Sequence, residues 1–291
     1  MHSVECLSDT GGQLGEGPIW IEEENSIYWV DIKRFLIHKF DTKNNNKTSW
    51  QFNESIGCIA YIKKNLFIAG TQLGFKFANL ELNQLIPIVD PEPNYINNRF
   101  NDGKCDNKGR FYAGSMDEDG NDPTGSFYIL YNDLTYKKID EGYEITNGPT
   151  FSPDCNKIYF TDTKKGEIYV SNLYEDGTFI EKKLFISIPA SEGKPDGMTI
   201  DQEGCLWIAL FGGSCINRYN QQGIKIDTIQ MPVSCITSCV FGGENLDILF
   251  ITTSSHKLND QQKLNEPQAG SLFKTQLDIG GYKTNKFIQI N

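Results

Sequence analysis

Four dipeptides in this chain pair a polar side chain with a following glycine: Glu16-Gly17, Asp102-Gly103, Asn147-Gly148 and Asp196-Gly197. Each polar residue lies ten to twelve positions before the aromatic second residue of a short apolar run: IYWVD, FYAGS, IYFTD and LWIAL. If each repeat is one blade of a ring, equivalent positions converge on the ring axis. Three carboxylates and an amide would then meet at one point. Such hard oxygen donors suit a calcium-like divalent cation. Taken singly, each dipeptide reads as an ordinary turn; recurrence at one place in the repeat carries the sharper reading. Ile56-Gly57 is apolar and the last repeat offers Ser234, Thr237 and Ser238, so one side of the polar cluster stays open for a ligand.

The elements that must position these residues repeat as well. Tyr28, Phe67, Tyr112, Tyr159, Trp207 and Phe250 occupy matching places, at intervals of 39, 45, 47, 48 and 43 residues. Periods of this length, with several strands per unit and turn residues before most strands, are the signature of propeller blades. The expectation is all-β: one six-bladed β-propeller over residues 1–291, with four-stranded blades and a metal site in the central channel. Inner strands are expected near 16–21, 56–62, 101–105, 147–152, 196–201 and 235–241. Residues 3–8 or the C-terminal KFIQIN would supply the outermost strand of the last blade and hide an edge. Helical periodicity is confined to about one turn at Leu80 to Leu85. A β-sandwich does not explain so regular a repeat.

Arg99 and Asn101 precede Gly103 in NNRFNDGKCD. Strand alternation puts these two on one face and Phe100 and Asp102 on the other. Asn101 and Asp102 share the channel only if the strand bulges. Arg99 reads either as a surface ion pair or as a hydrogen-bonding clamp for an oxygen-rich substrate.

Bulk properties exclude several functions. A formal net charge of -11 argues against nucleic acid and anionic membranes as partners. No apolar stretch approaches the ~20 residues of a membrane span, and no basic flank with an apolar run marks a leader. The eight cysteines contain no CxxC pair, so free thiols in a reducing cytoplasm are expected. The three histidines have no ligand spacing, which disfavours Ser-His-Asp catalysis and a zinc-histidine site. GGQLGEG at 11–17 resembles a phosphate loop but leads into Pro18 and a strand, so it reads as a turn. The protein is expected to act as a monomer or weak oligomer on a small molecule.

The segments LGEGPIW, NNRFNDGKCD, ITNGPTFSPDCNKIYFTDT, KPDGMTIDQEGCLWIALFGG, TSCVFGGENLDILFITTS and PQAGSLFK, in this order, resemble the family of regucalcin, gluconolactonases and luciferin-regenerating enzymes. The resemblance implies a six-bladed propeller in which Glu16, Asn147 and Asp196 hold a divalent metal. It also implies that Arg99 and Asn101 contact substrate and that Asp196 is the general base. Lactonase members carry a substrate-contacting glutamate where this chain has Asn121; Glu118, Asp119 or Asp122 would replace it if the loop shifts. The implied activity is metal-dependent hydrolysis of a sugar lactone, of gluconolactone type, to its hydroxy acid. Calcium is the expected ion, with zinc, manganese and magnesium as alternatives. Two other functions are implied: a non-catalytic calcium-binding regulatory protein, and a luciferin-regenerating type of enzyme on another small molecule.

Overall fold

The computed structural model describes residues 2–9, 11–179 and 181–290. Six antiparallel four-stranded sheets follow one another around a ring. Their inner strands are Gly15–Ile21, Ile56–Lys63, Asn98–Cys105, Thr146–Phe151, Lys194–Ile200 and Ile236–Gly242. All six lie within a few residues of the expected positions. The last sheet is completed by the N-terminal strand Val4–Ser8, which pairs with Leu272–Gln276. The C-terminal segment does not close the ring. It crosses two other blades, where Phe287 N–H donates to the Tyr61 carbonyl and Ile288 N–H to that of Gly109.

The aromatic repeat fills the seams between blades. Tyr28, Phe67, Tyr112, Tyr159, Trp207 and Phe250 are all buried. Each is a second-strand residue, and four of the seams are ring contacts. Tyr28 meets Phe67 at 5.0 Å, Tyr112 meets Phe151 at 5.1 Å, Trp207 meets Phe241 at 6.3 Å and Phe250 meets Trp20 at 5.3 Å. Tyrosine and tryptophan suit this place because their polar ends reach an acid in the preceding hairpin turn. Tyr28 Oη donates to Glu24 at 2.7 Å, and Trp207 Nε1 donates to Asp201 at 2.9 Å. Asp201 is fully buried and also accepts from Arg218 at 2.7 Å.

Every inner strand carries a register shift at its axial end. The shifts fall between Glu16 and Ile19, Ile56 and Cys58, Phe100 and Asp102, Asn147 and Thr150, Pro195 and Met198, and Ile236 and Ser238. A bulge re-aims a side chain by breaking the two-residue alternation. The shifts fall at equivalent places in all six blades and break the alternation beside Glu16, Asn101, Asn147 and Asp196. The glycines serve this crowding in two ways. Gly148 adopts a φ of 77°, which disfavours any side chain, whereas a Cβ on Gly197 would lie 2.1 Å from Ser238 Oγ in the next blade.

Two local expectations change. Residues 80–83 form a turn rather than helix, and the one α-helix among the described residues is Asp260–Asn265. Asn259 and Gln262 bracket its start in a reciprocal capping box. All eight cysteines are unpaired. No described helix is long and apolar enough to cross a membrane.

Candidate functional site

One end of the channel opens into a cavity of about 330 Å³. Glu16, Arg99, Asn101, Asn147 and Asp196 all line it, from the inner strands of the first, third, fourth and fifth blades. Each of the five is at most 6% exposed, so their polar atoms face the cavity rather than bulk water. The glycine after each acid has a further use. The N–H of Gly17 donates to Glu16 Oε2 at 3.1 Å and that of Gly103 to Asp102 Oδ1 at 2.7 Å; Asp196 is held by Gly197 in the same way.

The carboxyls of Glu16 and Asp196 lie within hydrogen-bonding reach of each other. Burial pushes Glu16 well above the ordinary carboxylate range, and the neighbouring Asp196 and Asp102 add to the shift. Burial likewise raises Asp196, with Asp102 adding repulsion. Arg99 opposes both shifts but does not cancel them. Two buried carboxyls in contact share a proton or need a cation between them.

Asn147 brings a third oxygen. Its Nδ2 donates to Thr163 Oγ1 at 2.9 Å, and Thr163 Oγ1 donates to the Pro195 carbonyl at 2.9 Å. That relay fixes which end of the amide is turned toward the channel. Its Oδ1 accepts from Asn101 Nδ2 at 3.2 Å. Among the described residues, no group of three His, Cys, Asp or Glu side chains is arranged to hold a metal. The donor set here is two carboxylates and one amide, all hard oxygens of the kind that bind calcium-like ions.

Asp102 departs from the four-way convergence expected of the dipeptides. The bulge after Phe100 does bring Asn101 and Asp102 toward the channel together. Yet Asp102 does not line the cavity. Both its oxygens are taken by backbone, Oδ1 by Gly103 and Oδ2 by Gly148 N–H at 3.0 Å. Burial pushes its pKa up to about 6, against the pull of Lys104. Three carboxylates are therefore near one another, but two of them reach the cavity.

The wall above is built around Arg99. Its Nη1 donates to Asn101 Oδ1 at 2.7 Å and to the Phe100 carbonyl at 3.1 Å, and its Nε pairs with Glu118. Glu118 also pairs with Lys33. Burial pushes the Glu118 carboxyl up, but Arg99 and Lys33 outweigh it and hold the group below its ordinary value. Asn121 and Asp122 are exposed and lie outside the cavity lining, whereas Glu118 and Asp119 line it. The acids that line the site are thus two and three residues earlier than Asn121. The sequence reading also passed over Thr163, Lys33 and His256, which line the cavity. Thr163 follows the second strand of its blade directly, a signal that only the fold makes visible.

Residues 14–255 match the SMP-30/Gluconolactonase/LRE-like region model. A Bacillus subtilis (strain 168) protein provisionally named sugar lactone lactonase YvrE is 36% identical over 283 residues, 96% of this chain and 97% of that one. The L-arabinolactonase of Azospirillum brasilense is 31% identical over 285 residues, 97% of this chain and 94% of that one. Among solved structures, a luciferin-regenerating enzyme superposes with a TM-score of 0.92 at 28% identity, covering 100% of both chains. Ring, bulged inner strands and paired buried carboxyls thus sit in a chain that belongs to the SMP-30/gluconolactonase/LRE-like family.

Proposed function

We propose that the protein is a divalent-metal-dependent hydrolase of sugar lactones, yielding the hydroxy acid. The observation that carries this reading is the placing of the buried Glu16 and Asp196 carboxyls, each acting on the other's ionisation, with Asn147 in one open cavity. Glu16, Asp196 and Asn147 Oδ1 would hold the ion. A divalent ion there supplies Lewis-acid polarisation of the lactone carbonyl and lowers the pKa of water.

Asp196 would accept a proton from the attacking water, since it lines the cavity and no side-chain cation among the described residues is bonded to it. The raised affinity of this buried carboxyl for protons favours that role, while a cation beside it would pull the other way. Arg99 and Asn101 would bind sugar oxygens and steady the oxyanion that develops on the acyl oxygen. Arg99 is preset for this by its bonds to Asn101 and Glu118. Hydrolysis breaks the acyl carbon–ring oxygen bond, joins the water oxygen to the acyl carbon, and leaves the ring oxygen as a hydroxyl.

A purely calcium-binding role would leave the Arg99, Asn101 and Glu118 wall without a purpose. The relatives named as lactonases support the enzyme reading. Calcium is the expected ion on donor hardness, with zinc, manganese and magnesium to be compared. The test is hydrolysis of a sugar-lactone panel by chelated protein before and after each ion is restored. Activity restored by one of the ions is the expected result. Tight calcium binding with no hydrolysis of any lactone or ester would overturn the reading in favour of a binding protein.

A further inference from the structure

The cavity is cationic at its mouth in a chain whose acidic residues outnumber its basic ones, 38 to 27. Five basic side chains line it: Lys33, Arg99, Lys164, Lys194 and Lys257. Four carboxylates face them: Glu16 and Asp196 would be offset by a divalent ion, and Glu118 and Asp119 leave the basic lining residues in excess. Lys33 and Arg99 share Glu118, and Lys164 reaches Glu144 at 3.4 Å. Lys194 and Lys257 have no carboxylate partner among the described residues, and both are exposed. Lys194 opens the inner strand two residues before Asp196; Lys257 follows His256 in the loop after Ser254.

The field at this rim is felt by a neighbour. His256 is held below its ordinary pKa by burial and then by Lys33 and Lys257. Like charges gathered in a concavity repel one another and attract a counter-ion, and low-dielectric walls focus that attraction. A neutral sugar lactone gains nothing from such a rim. An anionic one is drawn in and held with its charged end outward from the metal-binding floor.

We propose that the physiological substrate is an anionic sugar lactone, bearing a carboxylate or a phosphate-type oxyanion away from the lactone carbonyl, and that Lys194 and Lys257 receive that group. This rests on the lactonase reading above and names its substrate class. Water adds across the ring ester as before: the acyl–oxygen bond breaks, a carboxylate and a hydroxyl form, and one proton is released. The second anionic group takes no part in bond making.

The experiment compares kcat/KM at low ionic strength for D-glucono-δ-lactone, its 6-phosphate and the corresponding 6-carboxylate, with the metal-loaded full chain. The expected result is a preference of roughly tenfold for a charged lactone that shrinks as salt screens the rim. Which charged lactone is favoured identifies the source of the oxyanion. Lys194→Gln and Lys257→Gln should each cut the charged-to-neutral ratio by about two- to fivefold, and the double variant should abolish it. Lys43→Gln, at an exposed turn far from the cavity, should leave the ratio as it is. Equal rates on charged and neutral lactones in the wild type, or a preference kept by a folded double variant, would overturn the proposal. If no lactone is hydrolysed, the lactonase reading fails. Calorimetric binding of glucarate against gluconate then still decides the rim: a preference for the dianion lost in the double variant supports it, and equal binding rejects it.

Discussion

Asn147 is held by Thr163, whose Oγ1 accepts a hydrogen bond from the amide at 2.9 Å and donates one to the Pro195 carbonyl. Thr163 touches no other site side chain by hydrogen bond, yet it decides that Asn147 presents oxygen rather than nitrogen to the channel. Thr163→Val keeps the shape and removes the relay. Metal affinity should fall by roughly ten- to a hundredfold, as for other groups that orient a ligand, with the melting temperature of the chelated protein nearly unchanged. Calorimetric metal titration reads the first and thermal unfolding the second. Unaltered affinity would mean that the amide orientation is set elsewhere.

A bound ion should also stabilise the fold. At about 100 times its dissociation constant it contributes roughly 2.7 kcal/mol by mass action. Chelation should therefore lower the melting temperature of the wild type. Glu16→Gln should make the protein nearly indifferent to chelator, because it removes one of the two charged donors and relieves the repulsion with Asp196. Superimposable wild-type melting curves with and without chelator would count against an occupied site.

Arg99 and Asp196 should separate binding from chemistry. Arg99→Ala removes donors to substrate but no metal ligand, so metal affinity should stay within a few fold. Lactonase efficiency should fall by about 2–4 kcal/mol in transition-state terms. Asp196→Asn should damage both properties, since it removes a metal donor and the proton acceptor together. Paired metal titration and lactone hydrolysis on each variant is the measurement. Wild-type activity in Arg99→Ala would reduce that residue to a partner of Glu118.

The pH dependence of the metal-free protein has a definite sign. Glu16, Asp102 and Asp196 all have folded pKa values above the ordinary carboxylate range, that of Asp102 reaching about 6. Between the unfolded and folded pKa the native state binds more protons, so stability falls as pH rises through that window. Chelated protein should accordingly gain stability from these groups as pH is lowered from about 7 toward about 5. A saturating cation, which favours the ionised carboxylates, should remove or reverse that gain. Urea unfolding at several pH values, with chelator and with metal, checks this. Stability of the chelated protein that rises with pH across the window would sink the electrostatic picture.

The ring was legible because its signal is periodic. One buried aromatic per repeat, at a near-constant interval, places all six blades and the level of the axial side chains. The meeting of Glu16, Asn147 and Asp196 at the cavity followed from their equivalent positions. Asp102 obeyed the same pattern but was misread, since two backbone N–H groups claim its oxygens and one of them belongs to the next blade. No sequence pattern within one repeat reports a contact made by its neighbour. The Arg99–Glu118–Lys33 chain was hidden for a related reason. It joins residues from the first and third blades through a loop whose course is set by local backbone rather than by the repeat. The short helix, by contrast, announces itself: Asn259 with Gln262 three residues on is a capping-box pattern, passed over because the flanking run lacks a long apolar face.

Closure of the last blade ties synthesis to assembly. Val4–Ser8 comes before every other strand in chain order, but its partner Leu272–Gln276 comes after them all. Five blades have their four strands contiguous in the chain and can pair as they emerge, whereas the sixth must wait with its outer strand unclaimed. The ring is therefore clasped between its first and last strands. Loss of the first eight residues would strip the edge of the same blade whose inner strand carries Thr237, bonded to the Gly15 carbonyl one residue from Glu16. Removal of a strand that lines no part of the cavity thus acts on a side chain that does.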